Sequence, residues 1–351
     1  MPTLSRHSFE ANGHTTSYLE AGPPTGPLLI FVHGWPDIAL TWKHQLMTFA
    51  SLGFRAVAAD TRGYGESSVP KDRHDYRVEY LVADQIALLH HLEREQAVWI
   101  GHDWGSGIVW ALAAQHPEVC AGVVNLCVPG QVLEYGLDKL VSLVNRELYP
   151  KDKYPYGQWE YMKYYELHPD ESDEQFAAGG IKIIKALCAK GDPASYGKPS
   201  ITATVVQDGG WFGGKPDQLP DIPLEATVLD QDVFEALAKD KERNGWFPAT
   251  SYYLNHDLNN KYMQNAPNGG YLEMPVFYID AKYDGVCSPS TSPRLAEPMR
   301  KHCKKLTEST IEGMHWVHME KPDQVNAALA SWLATTLPKY WPYHYKNPVV
   351  A

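Results

Sequence analysis

A chain of 351 residues with 44% hydrophobic composition is long enough for one large domain or two modest ones and can bury a sizeable core. Its 31 Lys and Arg against 42 Asp and Glu leave a formal charge of -11, the opposite of what a phosphate-neutralising protein carries, so nucleic acid is excluded as the expected partner. The opening MPTLSRHSFEANGHTTSYLE has no apolar targeting core and no stretch of about 18 apolar residues occurs, so a cytoplasmic protein without a membrane anchor is expected. Cys120, Cys127, Cys188, Cys287 and Cys303 are odd in number and form no C-x-x-C pair, which argues against a disulfide framework and a structural zinc site.

In chain order, short β-branched and aromatic runs that read as buried strands alternate with helical periodicity. The strand candidates are LLIFVHGW from Leu28, FRAVAAD from Phe54, AVWIGHD from Ala97, CAGVVNLCVP from Cys120, PVFYID from Pro275 and KLTESTIEG from Lys305. Between them lie WKHQLMTFASL, VEYLVADQIALLHHLE, SGIVWALAAQH and, near the end, DQVNAALASWLATTL. Such alternation predicts a doubly wound α/β domain, a mostly parallel sheet with helices on both faces. It stops after Pro129 and resumes near Met274; the stretch between is helical and aromatic, with a Gly-rich patch from Asp208. The expected organisation is a core of residues 1–135 and 266–351 with a helical lid at 136–265.

Gly101-His102-Asp103-Trp104-Gly105 follows the AVWI strand and precedes a helix. Small residues two positions either side of a central side chain suit a strained strand-to-helix turn that presents a nucleophile, here Asp103 where Ser is usual. The identity of the nucleophile constrains the substrate. A serine attacking a saturated carbon would leave an inert ether, whereas a carboxylate makes an alkyl ester whose carbonyl belongs to the enzyme and can be hydrolysed. An alkyl electrophile, an epoxide or alkyl halide, is therefore expected.

Hydrolysis of that ester needs a base held by an acid. His315, in Gly313-Met314-His315-Trp316-Val317-His318 after the last strand, is the expected base, with His318 as alternative. Asp284, at the end of the preceding strand, is the expected acid, with Asp280 as competitor. An oxyanion site is expected from the backbone N–H of Trp104 and of Trp35, the latter in the strand-exit turn His33-Gly34-Trp35-Pro36.

Taken together, H-G-W-P, D-T-R-G-Y-G-E-S from Asp60, G-H-D-W-G, A-K-Y-D-G-V and G-M-H-W resemble, in order and spacing, the epoxide hydrolases of the α/β-hydrolase fold, notably the catalytic domain of soluble epoxide hydrolase and its plant and microbial relatives. The resemblance runs along nearly the whole chain. It implies hydrolysis of an epoxide to a vicinal diol, with two lid tyrosines holding and protonating the epoxide oxygen. By register with that family these are Tyr161, preferred over Tyr164, and Tyr253, preferred over Tyr252; Tyr165 is then the aromatic four residues after the first. Substrate is expected near His33, Pro36, Tyr165 and Trp316 in an apolar, aromatic-lined pocket. No cofactor or metal is implied, since the chemistry needs only water. The rival readings are a haloalkane dehalogenase, which shares the Asp-Trp elbow but lacks the paired tyrosines, and a non-catalytic ligand receptor on the same fold. Gly209 to Lys215 spells G-x-x-x-x-G-K, but Pro216 replaces the hydroxyl residue that would hold magnesium, so the patch is read as a lid loop.

Overall fold

The computed structural model describes residues 2–346. Its strands are β1 (Ser5–Ala11), β2 (His14–Ala21), β3 (Leu28–Val32), β4 (Arg55–Ala59), β5 (Ala97–His102), β6 (Cys120–Leu126), β7 (Leu272–Ala281) and β8 (Cys303–Ile311). They form one sheet in the order β1-β2-β4-β3-β5-β6-β7-β8. Strand β2 runs antiparallel to β1 and β4, and every other pairing is parallel. All six strands read from the sequence are present. The β1–β2 hairpin is additional, and its signal is Asn12-Gly13, whose φ values of 53° and 72° give the left-handed two-residue turn that joins twisted strands. Strand β8 departs from the buried reading: it is the sheet edge, and its lysines and glutamate are exposed, which protects an unpaired edge from other chains.

The sheet separates two apolar layers by simple alternation of side chains. On β3, Leu28, Ile30 and Val32 face one layer and Leu29 and Phe31 the other. The first layer packs against α2 (Val78–His91) and α3 (Trp104–Gln115), the second against α1 (Lys43–Ser51) and the C-terminal helix, through Leu46 and Phe49 and through Leu329 and Trp332.

From β6 to β7 the chain leaves the sheet and forms α4 (Leu137–Ser142), α5 (Glu160–Leu167), α6 (Pro169–Gly179), α7 (Ile181–Leu187), α8 (Gln231–Asn244), α9 (Phe247–Ser251) and α10 (His256–Gln264), joined by 3₁₀ turns. After β7 come α11 (Glu297–His302), α12 (Val317–Glu320) and α13 (Pro322–Thr336). Specific polar contacts fix the insertion to the sheet domain. Arg73 donates to Thr250 and Ser251 in α9 at 3.1 Å each and to Asp170 and Asp173 in α6 at 2.8 Å each. Asn259 in α10 accepts from the Val78 amide at 2.8 Å, and the Tyr252 hydroxyl donates to the Arg62 carbonyl at 2.8 Å. Among the described residues no helix is long and apolar enough to cross a membrane.

Strand order decides where a site can form. The chain goes from β3 to β4 on one side and then to β5 on the other, so the loops leaving β3 and β5 diverge and open a crevice beyond their carboxyl ends. His33-Gly34-Trp35 and Asp103 lie at those two ends.

Arg62, in the loop after β4, makes a two-pronged pair with Asp84 of α2 at 2.9 and 2.8 Å, and both side chains are nearly buried. Replacing Arg62 by Ala would strand the Asp84 carboxylate, so urea unfolding of Arg62→Ala should show a loss of about 3 kcal/mol; an unchanged midpoint would show that this pair does not hold the loop beneath Tyr252.

Candidate active site

Asp103 occupies a backbone conformation, φ 53° and ψ -122°, that side-chain-bearing residues rarely adopt. Glycines make the turn possible. A Cβ on Gly101 would collide with the Gly105 carbonyl, and one on Gly105 with that of Val32. Ser106 anchors the turn from below, donating to the Gly101 and Leu126 carbonyls at 2.9 and 3.1 Å. Asp103 is thereby lifted clear of the sheet at the start of α3, and Trp104, the first helical residue, has an amide with no intrahelical acceptor.

The Asp103 carboxylate is held on two sides. Its Oδ1 accepts the Trp35 amide at 2.8 Å, and its Oδ2 lies 3.5 Å from His315 Nε2. The other ring nitrogen of His315, Nδ1, is 2.7 Å from Asp284 Oδ2. Asp284 is fixed in turn by the amides of Val286 and Cys287, which donate to Oδ1 at 2.8 and 3.0 Å. Burial raises the proton affinity of the Asp284 carboxyl, but the His315 charge and hydrogen bond outweigh it and hold the group below the ordinary carboxylate value. Burial disfavours the imidazolium of His315 too, yet the Asp284 charge and the ring's hydrogen bonds with Asp103, Asp284 and Cys287 raise its pKa well above the ordinary histidine value. The three residues expected to act together are therefore brought together.

The competing assignments fall away on contacts. Asp280 accepts from Ser288 at 2.7 Å and Ser290 at 2.6 Å and serves the turn after β7. His318 is fully buried, its ring 4.5 Å from Trp42 and 4.4 Å from His102, and burial drives its pKa well below the ordinary value. It is not among the residues lining the cavity over Asp103 and instead shares a buried cluster with Asp37 and His102 whose possible ligand atoms lie within 4.8 Å of one another.

A cavity of about 240 Å³ opens above Asp103 and is lined by Asp103, Tyr161, Tyr253 and His315 among others. The rings of Tyr161 and Tyr253 cross edge-on at 5.5 Å, and Tyr253 also packs against Trp104 at 5.3 Å. Burial pushes both phenols well above their ordinary pKa, so both present O–H groups at neutral pH. The neighbouring tyrosines are used elsewhere: Tyr164 donates to the Gly209 carbonyl at 3.1 Å, and Tyr252 to Thr61 and to the Arg62 carbonyl. Of the four residues expected around the substrate, Trp316 lines the cavity, while His33, Pro36 and Tyr165 do not. His33 is a buried strut: Thr61 donates its amide to Nε2 at 3.0 Å, and Nδ1 donates to the Gly34 carbonyl at 2.9 Å. Pro36 follows Trp35 through a cis peptide bond, and Tyr165 backs the wall by packing 5.2 Å from Tyr253. The wall also contains Trp211 and Phe212, from the Gly-rich patch, and Cys287 and Met314, which the sequence reading did not assign to the pocket. The signal was present in the pattern G-G-W-F-G-G, two large aromatics between glycines in an otherwise polar loop.

The sequence pattern of the alpha/beta hydrolase fold family matches residues 27–322 of the chain. The chain belongs to the α/β-hydrolase fold family. Relatives of this α/β-hydrolase include Epoxide hydrolase A of Mycobacterium tuberculosis, 28% identical over 92% of this chain and 95% of that one. Another is Bifunctional epoxide hydrolase 2 of Sus scrofa, 25% identical over 91% of the chain, which spans about half (53%) of that relative's length. Among solved structures, Epoxide Hydrolase A from Mycobacterium thermoresistibile superposes with a TM-score of 0.74 at 26% identity, over 95% of this chain and 99% of that one. An epoxide hydrolase from an endophytic Streptomyces gives 0.74 at 26% identity, over 95% and 96%.

The electrostatics of this hydrolase's site have a measurable consequence. A histidine whose folded pKa is raised above its unfolded value of 6.5 contributes stability that is fully present below that pH and is lost as the pH rises through the folded value. The gap in unfolding free energy between the wild type and His315→Gln should therefore be widest near about pH 6 and shrink in alkaline solution. A gap independent of pH in urea titrations would contradict the charged Asp284–His315 pair.

Proposed function

We propose that the protein is an epoxide hydrolase that converts an epoxide and water to a vicinal diol through a covalent ester on Asp103. The observation that carries this reading is the pair of protonated phenols, Tyr161 and Tyr253, across the cavity from a carboxylate nucleophile. A haloalkane would need donors for a departing halide, but an epoxide needs a proton for an alkoxide, which is a poor leaving group and the species a phenol O–H serves.

The two oxygens of Asp103 have different tasks. Oδ1 is tied to the Trp35 amide, so Oδ2 is the oxygen free to attack. It forms a bond to a ring carbon from the back; the C–O bond breaks, its electron pair goes to the ring oxygen, and a tyrosine proton completes the hydroxyl. In the resulting hydroxyalkyl ester Oδ1 is the carbonyl oxygen, already on the Trp35 amide, and the Trp104 amide, which has no intrahelical acceptor, is the second donor in this reading.

Esterification also prepares the second step. Before it, His315 sits between two carboxylates that favour its protonated form; afterwards the Asp103 charge is gone and only Asp284 remains. The imidazole becomes easier to deprotonate at the moment a base is needed. The proton His315 sheds restores the tyrosine ionised in the first step. Neutral His315 then takes a proton from water at Nε2, the water oxygen adds to Cγ of Asp103, and the ester C–O bond breaks as the proton of the added hydroxyl passes to the product alkoxide, leaving Asp103 ionised and His315 protonated as at the start. Asp284 holds the tautomer and the imidazolium. In this reading residues 136–265 are a cap that supplies the tyrosines and excludes bulk water.

Rapid mixing of His315→Gln with excess styrene oxide, followed by intact mass measurement, should show the protein gaining the mass of one substrate molecule with little diol released. The Tyr161→Phe, Tyr253→Phe double variant should gain none. Full turnover by His315→Gln would remove that residue from the hydrolytic step, and halide release from bromoalkanes with no epoxide opening would favour the dehalogenase reading.

A further inference from the structure

The remainder of the cavity wall bears on which epoxides the site accepts, an inference that rests on the reading above. Among the described residues lining the cavity there is no lysine or arginine, and the charged side chains are Asp103, Asp284 and His315, already engaged with one another. Thr202 turns its hydroxyl into the protein, donating to the Gln158 carbonyl at 2.8 Å, and the Trp316 indole N–H donates to Asp37 at 3.0 Å. Ser200 Oγ accepts from the Thr202 amide at 3.3 Å, and apart from it and the Cys287 thiol the remaining lining side chains are aromatic, aliphatic or thioether. Trp211 stacks on Trp35 at 5.8 Å and meets Tyr161 edge-on at 5.5 Å.

The Gly-rich patch holds this aromatic wall in place. Phe212, Gly213 and Gly214 all have left-handed backbones, with φ of 56°, 71° and 69°, which turns the loop back after Trp211. The loop is pinned from behind at the Gly209 carbonyl, which accepts from the Tyr164 hydroxyl and from Gln175 at 3.1 Å each. Outward, the cavity leads to Ile201, 69% exposed and apolar.

We propose that the site selects uncharged epoxides with an aryl or short alkyl substituent and discriminates against epoxides whose substituent itself bears a carboxylate. A carboxylate drawn into a cavity of about 240 Å³ would lose its water, find no cation except the His315 imidazolium already paired with Asp103 and Asp284, and face the net negative charge of that triad. An aromatic ring would lose nothing of the kind and would pack on Trp35, Trp211 and Phe212.

The test compares styrene oxides bearing a para carboxamide or a para carboxylate, which match in shape and differ in charge. The carboxamide should be hydrolysed with a kcat/KM at least about tenfold higher at neutral pH. Ile201→Lys, a change at an exposed position, should narrow that ratio by raising kcat/KM for the carboxylate. Equal kcat/KM for the two compounds, with styrene oxide itself turned over, would overturn the proposal and leave epoxide hydrolysis standing. Failure to hydrolyse any of the three would bring down the epoxide reading and this inference with it.

Discussion

The backbone of Asp103 is the constraint on which the site depends. Its φ of 53° turns the chain from β5 into α3 within one residue and lifts the carboxylate above the carboxyl end of the sheet. Side chains are excluded at Gly101, Gly105 and Gly34 around it, each of which faces atoms that a Cβ would strike. The cost of that conformation is met by the parallel sheet on either side, with β3 and β6 fixing β5 through the Ile30–Trp99 and Trp99–Val123 registers.

From that point the other groups follow by position. The divergence of the chain on either side of β3 places the Trp35 amide against one oxygen of Asp103, and the loop after β8 brings His315 to the other. Asp284, at the end of β7, reaches His315 from the side because β7 and β8 are neighbours in register. The insertion between β6 and β7 comes back over the same end of the sheet, and its fastening through Arg73, Tyr252 and Asn259 determines where Tyr161 and Tyr253 stand. Positioning by rigid elements accounts for how five side chains separated by more than two hundred residues in sequence share a cavity of about 240 Å³.

Most of this was legible in the sequence because the elements concerned obey strong local rules. The strands β3 to β7 are short apolar runs with turn residues at their ends, and the elbow announces itself through glycines at fixed offsets from Asp103. Tyr161 and Tyr253 could be told from Tyr164 and Tyr252 only through the register of related sequences, since neighbouring tyrosines in a helical stretch look alike until their hydroxyl partners are seen. The β1–β2 hairpin is marked only by Asn12-Gly13, because β1 is an exposed edge strand without the apolar run that identifies the buried strands. Trp211 and Phe212 were hidden for a different reason. Their place in the wall is fixed by contacts to Trp35, Tyr164 and Gln175, far away in the chain, and no local pattern encodes which way such a loop turns. His33 and Pro36 illustrate the converse: residues in a motif that forms the site can serve it from behind without touching the cavity.

The central claim, that water reaches the product by way of the Asp103 carboxylate, is tested most directly by a single turnover of styrene oxide in oxygen-18 water with enzyme in excess. The account predicts unlabelled diol and one heavy oxygen in the peptide containing Asp103, because the oxygen delivered to the product is the one the carboxylate already held. Diol carrying the label, with an unlabelled Asp103 peptide, would mean that water opens the ring directly and would contradict the account.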